Sequence, residues 1–143
     1  MSNTTNDLQK NTLPTASEID SIFERVERAK QEWEATVDSL PELVCVVDAR
    51  GCVVRANRTI ETWQLGDVKA IQGFSLHTLL HPGCLGLYCS LDRYLRRALA
   101  AVNHDPIDQL EVYDTFLNRH LLVRVQPVTG HHPNLPITAV IVI

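Results

Sequence analysis

Apolar positions follow a different rhythm in each stretch of this chain. From Ile19 to Leu40 they recur every seven residues, at Ile19, Val26, Trp33 and Leu40, with Ile22, Ala29 and Thr36 three positions later. A heptad seam of this kind predicts an amphipathic helix over residues 15–40, closed by Pro41. Thr15 and Glu18 form a capping box at its start. Ala29 and Thr36 weaken the seam, so such a helix would hold a two-stranded coiled coil only loosely. The first 14 residues, rich in Asn and Thr and without periodicity, read as a disordered tail.

Two Val- and Cys-rich runs then flank Asp48-Ala49-Arg50-Gly51 within LVCVVDARGCVVRAN, residues 43–57. An Asp-initiated, Gly-terminated turn between β-branched runs predicts a hairpin. Asn57 is a good N-cap for a short helix reaching Gln64, and a Gly-punctuated connection covers 65–73. Phe74 to His81 reads as one or two helical turns stopped by Pro82-Gly83. Tyr88 to Val102 is the strongest helix of the second half, with Leu91, Leu95, Ala98, Leu99 and Val102 on one stripe and Arg93, Arg96 and Arg97 facing outward. Strands are expected at 109–116, 121–128 and 137–143, joined first by a tight turn at Asn118-Arg119-His120 and then by a longer loop at 130–134. The order predicts an α+β fold over 41–143: a five-stranded antiparallel sheet, order 2-1-5-4-3, with helices on one face. The closing run ITAVIVI is apolar throughout, as expected of a central strand covered on both faces.

With 143 residues, 45% of them hydrophobic, the chain can build one core. A net charge of −4, with acids and bases well mixed, excludes a nucleic-acid-binding face. No apolar run approaches the ~20 residues of a membrane span, and the polar N-terminus is unlike a signal peptide. A soluble, cytoplasmic protein is therefore expected. There, four cysteines are more often free thiols or metal ligands than disulfides.

The hairpin segment DSLPELVCVVDARGCVVRANR, Gly73-Phe74-Ser75, the LLHP of Leu79 to Pro82 and the closing meander occur in an order that resembles a PAS sensory domain. The resemblance runs from about Trp33 to Ile143. It implies that Asp48 and Gly51 shape the hairpin turn and that Asn57 caps the next helix, roles that turn and cap chemistry also give them. It further implies a non-catalytic sensory or dimerisation module of a signal-transduction protein. Such a module pairs with an output domain of the same polypeptide or with a partner kinase, as in two-component or cyclic-dinucleotide systems. The family commonly has acidic residues after the His-Pro, where this chain has Gly83-Cys84, and an Asp-x-Thr after the last strand, where this chain ends. The sequence is thus expected to be part of a longer signalling protein.

The strongest chemical signal is H-x3-H-x2-C-x4-C, formed by His77, His81, Cys84 and Cys89. If Phe74 to His81 is helical, the two imidazoles share a face, and Pro82-Gly83 turns the chain so that both thiols return. Two nitrogens and two thiolates suit tetrahedral Zn²⁺, at about 2.0–2.1 Å to nitrogen and about 2.3 Å to sulfur. A donor set without carboxylates argues against Mg²⁺ and Ca²⁺, and four protein ligands make a structural site. A plainer reading makes His77 a core residue, His81 the family's usual His-Pro, and the thiols small hydrophobes. A third makes Cys84 and Cys89 a thiol switch, Cys89 having its pKa lowered at a helix N-terminus.

Cys45 and Cys52 read as core residues. An internal pocket, lined by Trp63, Leu76, Leu80, Leu91, Leu95 and Tyr113, is the default ligand site. Haem would need His77 or His104 as axial ligand, and a photoreceptor flavin lacks its Asn-Cys-Arg motif, although Trp63 and Tyr113 could stack on its ring. His120, His131 and His132 read as loop residues. An enzyme would need an open metal position with Glu61 or Asp92 as base. The competing class is a plain homodimeric interaction module with a filled core.

Overall fold

A computed structural model describes residues 13–105, 107–128 and 137–143. Contacts divide the chain between Glu34 and Ala35, inside the first helix. That helix, α1, spans Ala16–Asp38. Glu18 N–H donates to Thr15 Oγ1 and Thr15 N–H to Glu18 Oε2, the reciprocal capping box expected from the sequence. No residue of α1 is buried.

The hairpin follows as β1 (Val44–Val47) and β2 (Val53–Ala56). Asp48 organises its turn: Oδ1 accepts from the backbone N–H groups of Arg50 and Cys52, and Gly51 takes φ +79°, where a side chain would be strained. The remaining elements are α2 (Thr59–Thr62), α3 (Leu76–Leu80), α4 (Ser90–Ala101), β3 (Leu110–Asp114), β4 (Arg119–Pro127) and β5 (Ala139–Val142). The sheet order is β2-β1-β5-β4-β3, all pairs antiparallel, as the sequence predicts. Val44 faces Val142 and Val47 faces Ala139, so the closing strand lies beside the opening hairpin.

Cys45, Ile141 and Val125 are cross-strand neighbours on the inner face, all buried. Leu76 and Leu80 of α3 and Leu91 and Leu95 of α4 complete that core, each contributing roughly 1.5–3 kcal/mol by burial. The opposite face, with Val46, Val140 and Gln126 in register, is only partly covered. The central strand is therefore apolar on both sides but fully covered on one and half-covered on the other, against the expectation for ITAVIVI.

Other local expectations shift by a few residues, each for a visible reason. Asn57 does not cap α2; Arg58 occupies that position without a side-chain bond. The Asn57 amide instead donates to the carbonyls of Val37 and Glu42 and accepts from Val44 N–H, clamping the entry to β1. Phe74 and Ser75 are not helical because they pair beside β2: Val53 N–H donates to Phe74 O and Cys52 bridges Ser75. The β3–β4 turn occupies residues 115–118, with Asn118 at φ +51°, while Arg119 and His120 already belong to β4. The 130–134 loop lies outside the described residues.

Candidate metal centre

Ser75 caps α3 and sets its phase, so that Leu76 and Leu80 enter the core and His77 is buried between them. His81 is one residue past the helix end, in a non-helical conformation, yet its N–H still donates to His77 O at 2.8 Å. A turn closed by Cys84 N–H to His81 O then redirects the chain. Cys89 returns it as the N-cap of α4, with its Sγ accepting Asp92 N–H. One ligand atom from each of His77, His81, Cys84 and Cys89 lies within 4.8 Å of all the others. The four residues singled out by spacing are brought together.

Two acids from distant elements hold the histidines. Asp114, at the end of β3 and buried, accepts the Nε2–H of His81 at 2.5 Å and Leu117 N–H at 2.9 Å. That bond orients the ring so that His81 Nδ1 faces Cys89 Sγ, 3.2 Å away. Phe116 stacks on the same ring, centroids 4.4 Å apart. Asp92 on α4 places Oδ1 3.5 Å from His77 Nδ1, while its Oδ2 receives Arg96 Nε at 2.8 Å. Among the described residues, His77 Nε2 is the buried side-chain nitrogen or oxygen left without a hydrogen-bond partner.

Burial holds the His77 pKa below the ordinary imidazole value; Asp92 opposes this, and His81 and Arg96 reinforce it. A neutral ring is the ligating form. Burial also pushes the Cys89 thiol up, outweighing the N–H bonds from Asp92 and Leu91. The lowering expected from its helix-start position is thus overturned. Gly86, between the two cysteines, has φ +78°, and a Cβ there would sit 2.9 Å from Asp92 Oδ2 and 3.8 Å from His77 Cε1. Its lack of a side chain lets the loop backbone close over the site.

Cys84 and Cys89 also border an open groove of about 510 Å³, shared with Leu85, Leu87, Tyr88 and Phe116. The six residues expected to line one internal pocket separate. Leu76, Leu80, Leu91 and Leu95 are core. Trp63 is half-buried in a groove of about 750 Å³ with Leu40, Val44 and Val142, the Arg119 guanidinium 4.3 Å over its ring. Tyr113 is exposed on β3, donating to Asn118. All four cysteines are free thiols, Cys45 fully buried with its pKa pushed up to about 12 and Cys52 half-buried. His104 and His120 are exposed; His131 and His132 lie outside the described residues. Glu61 accepts Val68 N–H.

A family model described as PAS fold matches residues 37–142. The chain belongs to the PAS fold family. A domain of an HTR-like protein from Haloarcula marismortui ATCC 43049 has a similar PAS-like structure, with a TM-score of 0.54 at 18% identity, covering 72% of this chain and 95% of that one. The E. coli DhaR(N)–DhaL complex contains another, with a TM-score of 0.54 at 17% identity, covering 87% of this chain and 38% of that one. No curated protein matches the chain. PAS domains are sensory and interaction modules and generally non-catalytic. Among the described residues, no helix is long and apolar enough to cross a membrane.

The supporting acids escaped sequence reading. In the sequence Asp92 reads only as a hypothetical base, and Asp114 belongs to no motif. Asp114 lies 33 residues from His81, and only the β3 path brings it there.

Proposed function

We propose that this PAS module is a cytoplasmic sensor whose input is read at a zinc-class centre held by His77, His81, Cys84 and Cys89. The observation that carries the reading is His77 Nε2, a buried nitrogen with no hydrogen-bond partner, in a group whose four ligand atoms lie within 4.8 Å of one another. A buried polar atom left unpaired costs roughly 1–3 kcal/mol, and an ion in the centre of the group would remove that cost. The second supporting feature is that each histidine turns its other ring nitrogen to a carboxylate, the usual outer support of metal-bound imidazole. Two imidazoles and two thiolates suit Zn²⁺, which supplies cross-linking charge without redox chemistry of its own. Four protein donors leave no position for a reacting water, in keeping with a module that is not an enzyme.

In this reading the ion pins the loop of residues 82–89 to α3, and its occupancy biases how the module engages an output partner. That partner is another domain of the same polypeptide or a separate kinase. The apolar seam of α1 supports a homodimer as the signalling unit, and the similar fold solved as the DhaR(N)–DhaL complex supports a protein partner. The test is elemental analysis of purified protein with Co²⁺ titration of the metal-free form. One ion per chain with the absorption of tetrahedral thiolate-bound cobalt is the expected result. Sub-stoichiometric metal, with all four thiols freely reactive, would overturn the assignment.

A further inference from the structure

The same cluster contains an arrangement that does not need an ion. Asp114, His81 and Cys89 stand in line: carboxylate to Nε2–H, then Nδ1 to Sγ at 3.2 Å. A sulfur, a ring nitrogen facing it and a carboxylate orienting the ring are the parts of an activated nucleophile. Sγ also accepts Asp92 N–H at the first turn of α4, a helix of 12 residues, which holds the sulfur in place facing the His81 ring. A second thiol, Cys84, belongs to the same group within 4.8 Å, and both sulfurs border the open groove.

We propose that Cys89 of the metal-free protein is a hydroperoxide-reactive thiol and that Cys84 resolves its oxidised form into an intramolecular disulfide. His81 Nδ1 takes the Cys89 proton as the sulfur attacks the distal oxygen of the hydroperoxide. The O–O bond breaks, and the departing alkoxide or hydroxide takes the proton from His81, leaving alcohol or water. Cys89 is then a sulfenic acid. The Cys84 sulfur attacks it, the S–O bond breaks, and the Cys84 proton leaves with the hydroxyl as a second water. Two thiols and one hydroperoxide thus give one disulfide, one alcohol or water, and one water.

The groove admits a small oxidant to these two sulfurs, whereas Cys45 is fully buried. Gly83 and Gly86, both at φ +78°, give the loop the backbone freedom to bring the sulfurs into bonding distance. The disulfide does not depend on the ion. Its consequence does, and rests on the metal reading: oxidation removes two of four donors, so the oxidised and metal-loaded states exclude one another.

The test treats the full metal-free chain with stoichiometric hydrogen peroxide and follows intact mass and peptide maps. Loss of two hydrogens is expected, mapped to a Cys84–Cys89 link that forms at least ten times faster than Cys52 oxidises. Cys84→Ser should stop at a Cys89 sulfenic acid, trapped by dimedone; Cys89→Ser should leave Cys84 reduced over the same interval. Oxidation no faster than at Cys52, links only between chains, or no dimedone adduct in Cys84→Ser would each overturn the proposal. A zinc-binding protein that forms no disulfide removes this inference alone. A disulfide in a protein that takes up no zinc removes the metal reading alone.

Discussion

The two halves of the His/Cys cluster are built in opposite ways. The histidine half is rigid: His77 and His81 are 8% and 4% exposed and meet edge to face, Phe116 stacks on His81, and a carboxylate stands at each ring. The cysteine half is a surface loop whose intervening Leu85, Leu87 and Tyr88 are 88%, 78% and 92% exposed. Two left-handed glycines shape it. The rigid half is pre-organised, so little ordering entropy opposes binding there. The loop half borders an open groove and is reachable by reagents. A centre divided this way can bind firmly through one half and respond through the other.

The comparison breaks first at the sulfurs. Cys89→Ser removes a donor that both caps the start of α4 and faces His81, and should weaken zinc binding roughly a thousandfold, about 4 kcal/mol, in a competition titration. Because zinc bound only by the native state stabilises by about 4 kcal/mol at a thousandfold excess over Kd, the wild-type melting temperature should fall on adding a chelator while that of the variant stays put. Equal shifts in the two proteins would mean that the loop half contributes nothing.

The supports of the rigid half come next. Asp114→Asn should cost roughly 10–100-fold in zinc affinity, and Asp92→Asn should lie at or below the low end of that range. The ranking follows from contact: Asp114 is hydrogen-bonded to His81 at 2.5 Å, whereas Asp92 stands 3.5 Å from His77 and is shared with Arg96. A reversed order, read by the same titration, would shift the anchoring role from His81 to His77. Within the loop, Gly86→Ala and Gly83→Ala separate backbone strain from close approach. Both positions have φ +78°, but only at Gly86 would the new methyl meet Asp92. Gly83→Ala should lose about 1 kcal/mol on chemical denaturation with little change in zinc affinity. Gly86→Ala should lose about twice as much and weaken zinc as well.

What the sequence discloses divides along the same line. Contacts within a dozen residues are readable: the Asp48–Gly51 turn, the Thr15–Glu18 box and the H-x3-H-x2-C-x4-C group each follow from local geometry. The strand order was also legible, because five short runs with these connections leave one economical antiparallel sheet. Asp92 and Asp114 were not, since a carboxylate's spacing does not say which imidazole it will meet across a fold. Asn57 reads as a cap and acts as a clamp because the same amide chemistry makes both, and the carbonyls it meets belong to Val37 and Glu42, 20 and 15 residues away. Trp63 and Tyr113 look like pocket residues by their apolar rings, but four leucines already fill the interior. The run ITAVIVI looked covered on both faces because apolarity records what could be buried, not what is.

The smallest expected effect concerns protons, and it isolates the rigid half without the loop. In metal-free protein the His77 pKa lies below its unfolded value of about 6.5, chiefly through burial. The unfolded chain therefore binds more protons than the native one as pH falls below that value. Stability should be fully present above about 6.5 and decline as pH drops through the window between the unfolded and the lower folded pKa. His77→Gln should flatten that part of the curve in urea denaturation series taken with a chelator present. A slope that survives the substitution would place the proton-sensitive group elsewhere. A slope of opposite sign would mean that Asp92, not burial, governs the ring, which would then rest as imidazolium, and the histidine half would cease to be a poised ligand.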